Sequence, residues 1–224
     1  MKSTPRGLFI AGTDTGVGKT VIAAALIRGA VDAGARAVGM KPVASGIAPG
    51  ELRNADVVAL IAAGNVPAPL ADVNPYAFDP PVAPHVAARR GGTPIDIETI
   101  AAAYGRLASS ADLVVVEAAG GVLTPLDDRR DMLDIAARLR LPVVLVVGVR
   151  LGCLNHALAS ALAINARGLA LAGWIANRID PAMPEAQASV ATLTARLAAP
   201  MLADVAWCEG GAVPPIPGAL GVGD

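Results

Sequence analysis

The chain has 224 residues, of which 54% are hydrophobic, enough for one sizeable core. Its net charge of −1 and pI of about 6.1 exclude the basic surface of a protein that binds nucleic acid or an anionic membrane. Two cysteines and two histidines are too few for a disulfide scaffold or a metal cluster. No apolar run reaches the length of a signal peptide core or a membrane span, so we expect a cytoplasmic protein.

Short β-branched runs alternate with Ala/Leu-rich stretches, a pattern typical of βαβ units. The pattern predicts strands at 7–11, 36–41, 112–117, 142–148, 171–176 and 201–206. It predicts helices at 19–33, 52–63, 95–108, 131–140, 154–167 and 184–197. Strands 112–117 and 142–148 are nearly continuous apolar runs, as strands covered on both faces require. We therefore expect an α/β fold with a doubly wound, mostly parallel sheet and helices on both faces.

Two stretches fall outside this alternation. The connection between the second and third strands is rich in proline, and we expect either a functional loop over the site or irregular packing; its prolines include Pro67, Pro69, Pro75, Pro80, Pro81 and Pro84. Residues 210–224 are rich in Gly and Pro and predict a flexible tail. The remainder, 1–209, is predicted to be one domain.

Residues 12–20, Gly-Thr-Asp-Thr-Gly-Val-Gly-Lys-Thr, lie between the first strand and the first helix. Small residues there let backbone N–H groups turn towards an anion at the positive end of the helix. Lys19 is placed to reach the β- and γ-phosphates of a nucleotide, and the Thr20 hydroxyl to hold Mg²⁺. Gly12 precedes Lys19 by seven residues rather than six, so this is a longer variant of the P-loop. The alternative is a Gly-rich turn that binds no ligand.

Polar residues follow several of the other predicted strands. Lys41 ends the second strand, Glu117 the third and Asn177 the fifth. Ligands of doubly wound sheets bind at the carboxyl ends of the strands. Two ammonium groups near one phosphate site suit a reaction in which an oxyanion or carbamate develops, although Lys41 as a solvent-exposed lysine is the alternative. Glu117 stands where a carboxylate linked to Mg²⁺ is expected.

Three further features have equally simple structural interpretations. Asp56 is a candidate second Mg²⁺ carboxylate, or an ordinary residue at a helix start. Ser45 can donate to the same anion as Lys41, although Ser-Gly is common in turns. Residues 151–156, Leu-Gly-Cys-Leu-Asn-His, open a helix whose N–H groups can bind a carboxylate, or form an ordinary helix start.

Together these motifs resemble the dethiobiotin synthetase family. The resemblance runs from about residue 7 to 207, and the order of the motifs is highly specific. The matching segments are 12–20, 41–46 (Lys-Pro-Val-Ala-Ser-Gly), 52–56 (Leu-Arg-Asn-Ala-Asp), 74–78, 84–85, 116–121, 151–156 and 172–177.

The resemblance implies a P-loop ligase of biotin synthesis that uses ATP and Mg²⁺ to close a cyclic urea from 7,8-diaminononanoate and CO₂. It implies that Lys41 and Lys19 are catalytic, holding a carbamate and the γ-phosphate. It implies that Thr20, Asp56 and Glu117 carry Mg²⁺. The family is homodimeric, which implies that residues 151–155 of one subunit bind the carboxylate of the diamine held by the other.

The remaining expected contacts are also implied by the resemblance. Asn177 would read the adenine edge beside Trp207. The other expected nucleotide contacts are Gly16, Val17, Gly18, Lys19, Thr20, Val21, Asp56, Glu117, Ala118, Ala119, Gly120 and Arg178. The expected substrate contacts are Thr15, Ser45, Leu151, Gly152, Cys153, Leu154 and Asn155. Gly16 stands where some members have glutamate, and Ala118 where glycine is usual.

Three other functions share the general pattern. A P-loop switch or partition ATPase usually carries a second lysine near the start of the loop, and the sequence has no lysine between Arg6 and Lys19. A glutamine-dependent amidoligase is normally joined to a glutaminase domain, for which 224 residues leave no room. A module that only binds nucleotide is the third alternative.

Overall fold

The computed structural model describes residues 7–47, 51, 53–211 and 213–216. Leu52, the first residue of the 52–56 motif, and residues 1–6, 48–50, 212 and 217–224 lie outside the described residues. The strands in the described residues are β1 (Gly7–Gly12), β2 (Ala37–Met40), β3 (Val43–Ser45), β4 (Tyr76–Phe78), β5 (Leu113–Glu117), β6 (Val143–Val149), β7 (Leu171–Arg178) and β8 (Met201–Val205).

The same residues contain eight α-helices. They are α1 (Lys19–Asp32), α2 (Ala55–Ala63), α3 (Leu70–Val73), α4 (Pro84–Arg90), α5 (Ile97–Ser110), α6 (Met132–Leu139), α7 (Cys153–Ala166) and α8 (Ala186–Arg196). A short 3₁₀ turn follows at Glu209–Gly211.

Six strands form one parallel sheet in the order β2-β5-β1-β6-β7-β8. Alternate residues of each central strand enter separate cores, because successive side chains of a strand point to opposite faces. On β5, Leu113 and Val115 pack with residues of α1, whereas Val114 and Val116 pack with residues of α5 and α6. The sheet is therefore covered on both faces, and the predicted doubly wound α/β fold is confirmed.

The six strands of the main sheet begin and end within two residues of their predicted bounds. The Pro-rich connection is more structured than either expectation, because it contains α3, α4 and a small parallel pair of strands, β3 and β4. Within this connection Lys41 donates its backbone N–H to the Val73 carbonyl at 2.8 Å. The connection thus packs against the end of β2 and helps to fix Lys41.

The predicted boundary at residue 209 and the flexible tail from 210 stay predictions. Within that stretch, residues 213–216 lie against α1. Ile216 donates its N–H to the Ala25 carbonyl at 3.1 Å, and Arg28 donates to the Val213 carbonyl at 2.7 Å. A Cβ on Gly29 would overlap the Ile216 carbonyl oxygen, so a glycine is needed for this close approach. In the described part of the chain, helices are too short or too polar to cross a bilayer.

Two glycine-to-alanine substitutions test this docking. Gly105 lies in the middle of α5 with open space around it, so Gly105→Ala should raise the free energy of unfolding by about 0.5–1 kcal/mol. Gly29→Ala stabilises its helix to the same extent, but it also forces residues 213–216 away from α1, which costs about 1–3 kcal/mol. In urea denaturation, the free energy of unfolding of Gly29→Ala should therefore be at least about 1 kcal/mol lower than that of Gly105→Ala. Equal stabilisation by both substitutions would contradict the docking.

Candidate active site

The site lies where β2, β5 and β1 end side by side. Because these strands are parallel and adjacent, the residues that follow them meet at one edge of the sheet. Lys41 follows β2, Glu117 ends β5, and the P-loop follows β1. The predicted convergence of Lys19, Lys41 and Glu117 is therefore observed.

The P-loop has the backbone that a phosphate-binding loop needs. Gly16 and Gly18 adopt positive φ angles of 73° and 83°, a region that favours glycine. Gly18 precedes the first residue of α1, so the free N–H groups of that helix end face the loop. The buried Lys19 ammonium donates to the Asp14 carbonyl at 2.8 Å, which folds its side chain back over the loop.

Lys41 is at the centre of a buried polar cluster. Its ammonium donates to Glu117 Oε1 at 2.5 Å and to Asp56 Oδ2 at 2.8 Å. The Thr20 hydroxyl donates to the same Glu117 oxygen at 2.7 Å. Lys41 and Glu117 are 4% and 1% exposed, which decides between the two interpretations of Lys41: it is not a solvent-exposed lysine. The chain has only three lysines, at positions 2, 19 and 41, and two of them lie in this site.

The cluster shifts the pKa of each of its titratable groups. Burial, and then the positive charge of Lys41, lower the pKa of Lys19 to about 8. Burial acts to lower the pKa of Lys41 as well, but the Glu117 and Asp56 carboxylates outweigh it and raise that pKa. Burial raises the pKa of Glu117. For Asp56, the attraction of Lys41 outweighs burial and lowers the pKa. Lys41 therefore stays an ammonium, while Lys19 loses its proton at a lower pH than an ordinary lysine.

Thr20, Asp56 and Glu117 present oxygen atoms that suit Mg²⁺. Glu117 Oε2 is buried and has no hydrogen-bond partner among the described residues, so it can still accept a cation. The described residues contain no group of three or more His, Cys, Asp or Glu side chains able to hold a metal by themselves. Mg²⁺ in nucleotide sites is usually held by one or two carboxylates together with phosphate oxygens and water. Two carboxylates and a hydroxyl beside a P-loop fit this chemistry.

Two buried asparagines hold the cluster in place. Asn54 donates its amide to the Ser45 and Gly46 carbonyls at 3.1 and 3.3 Å, and accepts the Asp56 N–H at 2.9 Å. Asn74 donates to the Lys41 carbonyl at 2.6 Å. Both belong to motifs noted in the sequence, but no role was predicted for either side chain. The Asn74 contact leaves no residue pattern, because its partner is a backbone carbonyl, whereas Asn54 directly before the apolar run of α2 carries the usual sequence signal of a helix start.

The predicted nucleotide contacts fall into two groups. Those of the loop lie near the cluster: Gly16, Val17, Gly18, Lys19, Thr20 and Val21 in or after the P-loop, and Ala118, Ala119 and Gly120 directly after Glu117. Asn177 is buried beside the loop and donates to the Val17 carbonyl at 2.9 Å. Arg178 and Trp207 lie towards β8, where Arg178 is held by Asp204 and Gln187 and Trp207 is 47% exposed.

The predicted substrate contacts are less closely grouped. Thr15 is exposed on the P-loop, and its N–H donates to Asp14. The Ser45 hydroxyl is buried without a hydrogen-bond partner among the described residues. Leu151 and Gly152 belong to the turn between β6 and α7, whereas Leu154 and Asn155 lie in the first turn of α7. The Cys153 side chain is buried in the core, so a ligand could meet only its backbone.

Comparison with known proteins identifies the family. A family model for an AAA domain matches residues 6–210. An ATP-dependent dethiobiotin synthetase of Aromatoleum aromaticum is 50% identical over 208 residues, 92% of each chain. A protein of the same name from Nitrosospira multiformis is 49% identical and covers 88% of this chain and 86% of its own. The chain belongs to the dethiobiotin synthetase family. The expected family and enzyme class, a ligase, are therefore confirmed.

Solved structures agree on the fold. The MinC:MinD cell division complex of Aquifex aeolicus matches with a TM-score of 0.57 and 18% identity, covering 89% of this chain and 81% of that one. MinD of Pyrococcus horikoshii, solved with Mg-ADP, matches with a TM-score of 0.55 and 16% identity, covering 92% and 85%. At this level of identity the comparison shows the fold alone. This member of the dethiobiotin synthetase family has the same P-loop NTPase fold as the MinD proteins.

The low pKa of Lys19 predicts that nucleotide binding takes up protons. Phosphate oxygens should raise the pKa of Lys19 from about 8, so at about pH 8.5 binding of ADP should take up roughly half a proton or more. Affinity should fall as the pH rises above about 8. Titration calorimetry in two buffers of different ionisation enthalpy measures this uptake. The Lys19→Arg variant keeps the positive charge but does not titrate in this pH range, so ADP binding to this variant should take up no proton. Absence of uptake by the unsubstituted protein would contradict the assignment.

Proposed function

We propose that the protein catalyses the ATP-dependent carboxylation and ring closure of 7,8-diaminononanoate with CO₂ to give dethiobiotin, ADP and phosphate. The curated relatives, named ATP-dependent dethiobiotin synthetases, support this assignment over about nine-tenths of the chain. The observation that carries it is the buried Lys41 ammonium, held by two carboxylates beside the P-loop lysine. This arrangement suits a reaction in which anionic oxygens meet and exchange a phosphoryl group.

The proposed reaction has three steps. One amine of the substrate adds to CO₂ and loses a proton, which gives a carbamate. A carbamate oxygen attacks the γ-phosphorus of ATP, and ADP leaves, which gives a carbamic–phosphoric anhydride. The second amine attacks the carbonyl carbon, phosphate leaves, and the loss of a proton completes the cyclic urea.

Lys19 and Lys41 supply the positive charge that these steps need. Two anions, a carbamate and a triphosphate, must approach each other, and buried cations lower the cost of that approach. Lys41 keeps its proton because of Glu117 and Asp56, so it can donate hydrogen bonds to the carbamate and the γ-phosphate throughout. Lys19 would leave the Asp14 carbonyl and donate to the nucleotide instead. Both lysines act as electrostatic donors in this account, rather than as bases.

Thr20, Asp56 and Glu117 would hold Mg²⁺. Bound there, Mg²⁺ would supply positive charge that offsets the negative charge of the phosphates. The oxygens that fit this role best are the Thr20 hydroxyl oxygen and Glu117 Oε2, which has no hydrogen-bond partner among the described residues. Asp56 is held at the start of α2 by the cap that Asn54 forms, so its carboxylate stays near Lys41.

The nucleotide would lie along the P-loop, with its base towards β7 and β8. Asn177 uses one amide hydrogen on the Val17 carbonyl, so its second hydrogen and its oxygen remain for an adenine edge. Trp207 would pack beside the base, with Arg178 at the rim. Ala118 to Gly120 would line the opposite side by their backbone.

The diamine would meet Thr15 and Ser45 at its reactive end. The buried Ser45 hydroxyl, partnerless among the described residues, offers a donor there. The distant carboxylate would bind residues 151–155 of a second subunit in a homodimer. Leu151 and Leu162 are 90% and 70% exposed along this turn and α7, which favours a partner surface.

Sedimentation equilibrium should give twice the chain mass of 22.4 kDa, and a mass of one chain would contradict the dimer.

A switch or partition ATPase is the second candidate, because the MinD proteins share the fold. The sequence lacks the additional lysine near the start of the loop, and the ligase relatives cover the chain at 50% identity. Diamine dependence separates the two candidates, since a switch ATPase has no use for a diamine.

The decisive experiment measures phosphate release from ATP, Mg²⁺ and bicarbonate, with and without 7,8-diaminononanoate. Release by the unsubstituted protein should require the diamine. Lys41→Gln should lower it by about 100-fold or more, the usual cost of losing a donor that stabilises developing charge. Equal release without the diamine, unaffected by Lys41→Gln, would overturn the ligase proposal in favour of the switch ATPase.

Two further variants control for folding. Lys41→Gln leaves Glu117 buried without its cation, which can destabilise the protein. Lys41→Arg keeps the charge but changes the donor geometry, so it should unfold close to the unsubstituted protein and still release phosphate slowly. Arg138→Gln breaks the exposed Arg138–Glu98 pair away from the site and should leave turnover unchanged.

A further inference from the structure

The ion pair between Asp14 and Arg150 joins two loops that the proposed reaction uses separately. Asp14 lies in the P-loop, and Arg150 follows β6, directly before residues 151–155, the turn that leads into α7 and the first residues of that helix. The Arg150 guanidinium donates to Asp14 Oδ2 at 2.5 Å. The side chains are 40% and 44% exposed, so the pair lies at the surface of the crevice. No role was predicted from the sequence for either residue.

One backbone hydrogen bond and one apolar contact also join these two loops. Thr13 donates its N–H to the Val146 carbonyl at 3.0 Å. Val17 packs against Gly148 so closely that a Cβ on that glycine would lie 2.8 Å from Val17. The loop after β1 and the end of β6 therefore form one packed seam, with the Asp14–Arg150 pair at its outer end.

Asp14 is fixed within the P-loop by two other contacts. Its Oδ1 accepts the Thr15 N–H at 2.7 Å, and its carbonyl accepts the Lys19 ammonium at 2.8 Å. Its second carboxylate oxygen is thereby aimed out of the loop towards Arg150. The position of this oxygen follows the conformation of the phosphate-binding loop.

Arg150 is fixed at its other end by the turn that it opens. Its carbonyl accepts the Cys153 N–H at 3.0 Å, and Gly152 adopts a φ of 96°, which closes the turn into α7. The buried Cys153 side chain anchors the turn to the core. Arg150 thus binds the P-loop by its side chain and the turn by its backbone.

We propose that the Asp14–Arg150 pair positions the turn 151–155 against the P-loop, and so sets the affinity for the carboxylate of the diamine. This inference rests on the proposed function, in which that turn receives the carboxylate. Because the turn would serve the other subunit of the dimer, the pair connects the phosphate loop of one subunit with the substrate subsite of its partner. Arg150 and Asp14 are positioning residues that do not touch the reacting atoms.

Two diamines separate this role from general damage to the P-loop. One is 7,8-diaminononanoate, and the other is 2,3-diaminooctane, the same diamine without its carboxylate. In Asp14→Asn and Arg150→Gln, KM for the first should rise about tenfold with kcat little changed, while KM for the second should match the unsubstituted protein. Asp14→Asn keeps an oxygen for the Thr15 N–H and removes only the charge. The double variant should be no worse than either single variant, because both remove the same contact.

Two variants serve as controls. Arg150→Lys retains a cation opposite Asp14 and should restore most of the affinity. Arg138→Gln removes a comparable ion pair far from the seam and should leave both KM values unchanged. Equal losses for both diamines, or no loss for either, would overturn the positioning role.

Hydrogen exchange tests the same pair without turnover. The amides of Cys153 and His156, which donate to the Arg150 and Gly152 carbonyls, should exchange several-fold faster in Asp14→Asn and Arg150→Gln, and at the original rate in Arg138→Gln. Unchanged exchange in both seam variants would contradict the proposal whatever the enzyme's substrate. Absence of diamine-dependent turnover in the unsubstituted protein, with faster exchange in these variants, would instead refute the proposed function and leave the structural role of the pair standing.

Discussion

The site depends on one buried interaction, the contact of the Lys41 ammonium with Glu117 and Asp56. Neither Lys41 nor Glu117 would remain charged in a buried position alone, because burial disfavours each charged form. Lys41 and Glu117 each keep their charge because the opposite charge of the other stabilises it. Asp56 and the Thr20 hydroxyl complete the set of partners. Removing one member would leave another uncompensated, which costs more than a surface ion pair is worth. The Lys41 ammonium therefore stays charged next to a P-loop in which burial lowers the pKa of Lys19 to about 8.

The parallel sheet makes this interaction possible. In the order β2-β5-β1, the strand that carries Glu117 lies between the strand that leads to Lys41 and the strand that leads to the P-loop. The connection after β2 then returns twice to the site, through Asn54 to Ser45 and Asp56, and through Asn74 to Lys41. On the other side of β1, the seam with β6 brings Arg150 to Asp14. One sheet edge thus joins the phosphate loop, the proposed metal ligands and the proposed substrate turn.

The central part of this arrangement is predictable from the residues alone, for two physical reasons. Continuous apolar runs identify buried parallel strands, and polar residues at the ends of such strands must meet at one edge, which groups Lys19, Lys41 and Glu117. The short strands β3 and β4 and the helices α3 and α4 could not be found, because three to seven residues show no measurable periodicity. Asp14 and Arg150 are 136 positions apart, and an ion pair of this kind leaves no local pattern. The docking of residues 213–216 was missed because Gly and Pro indicate turns but not the surface that a turn packs against.

The most direct test of the central claim is a crystal structure of the protein with Mg²⁺, a non-hydrolysable ATP analogue and the diamine. The account predicts Mg²⁺ bound by Thr20, Asp56 and Glu117, and the Lys41 ammonium within hydrogen-bonding distance of the γ-phosphate. It predicts that Lys19 has left the Asp14 carbonyl for the phosphates. A metal ion bound elsewhere, with Lys41 still shared only between Glu117 and Asp56 and making no contact with nucleotide or diamine, would contradict it.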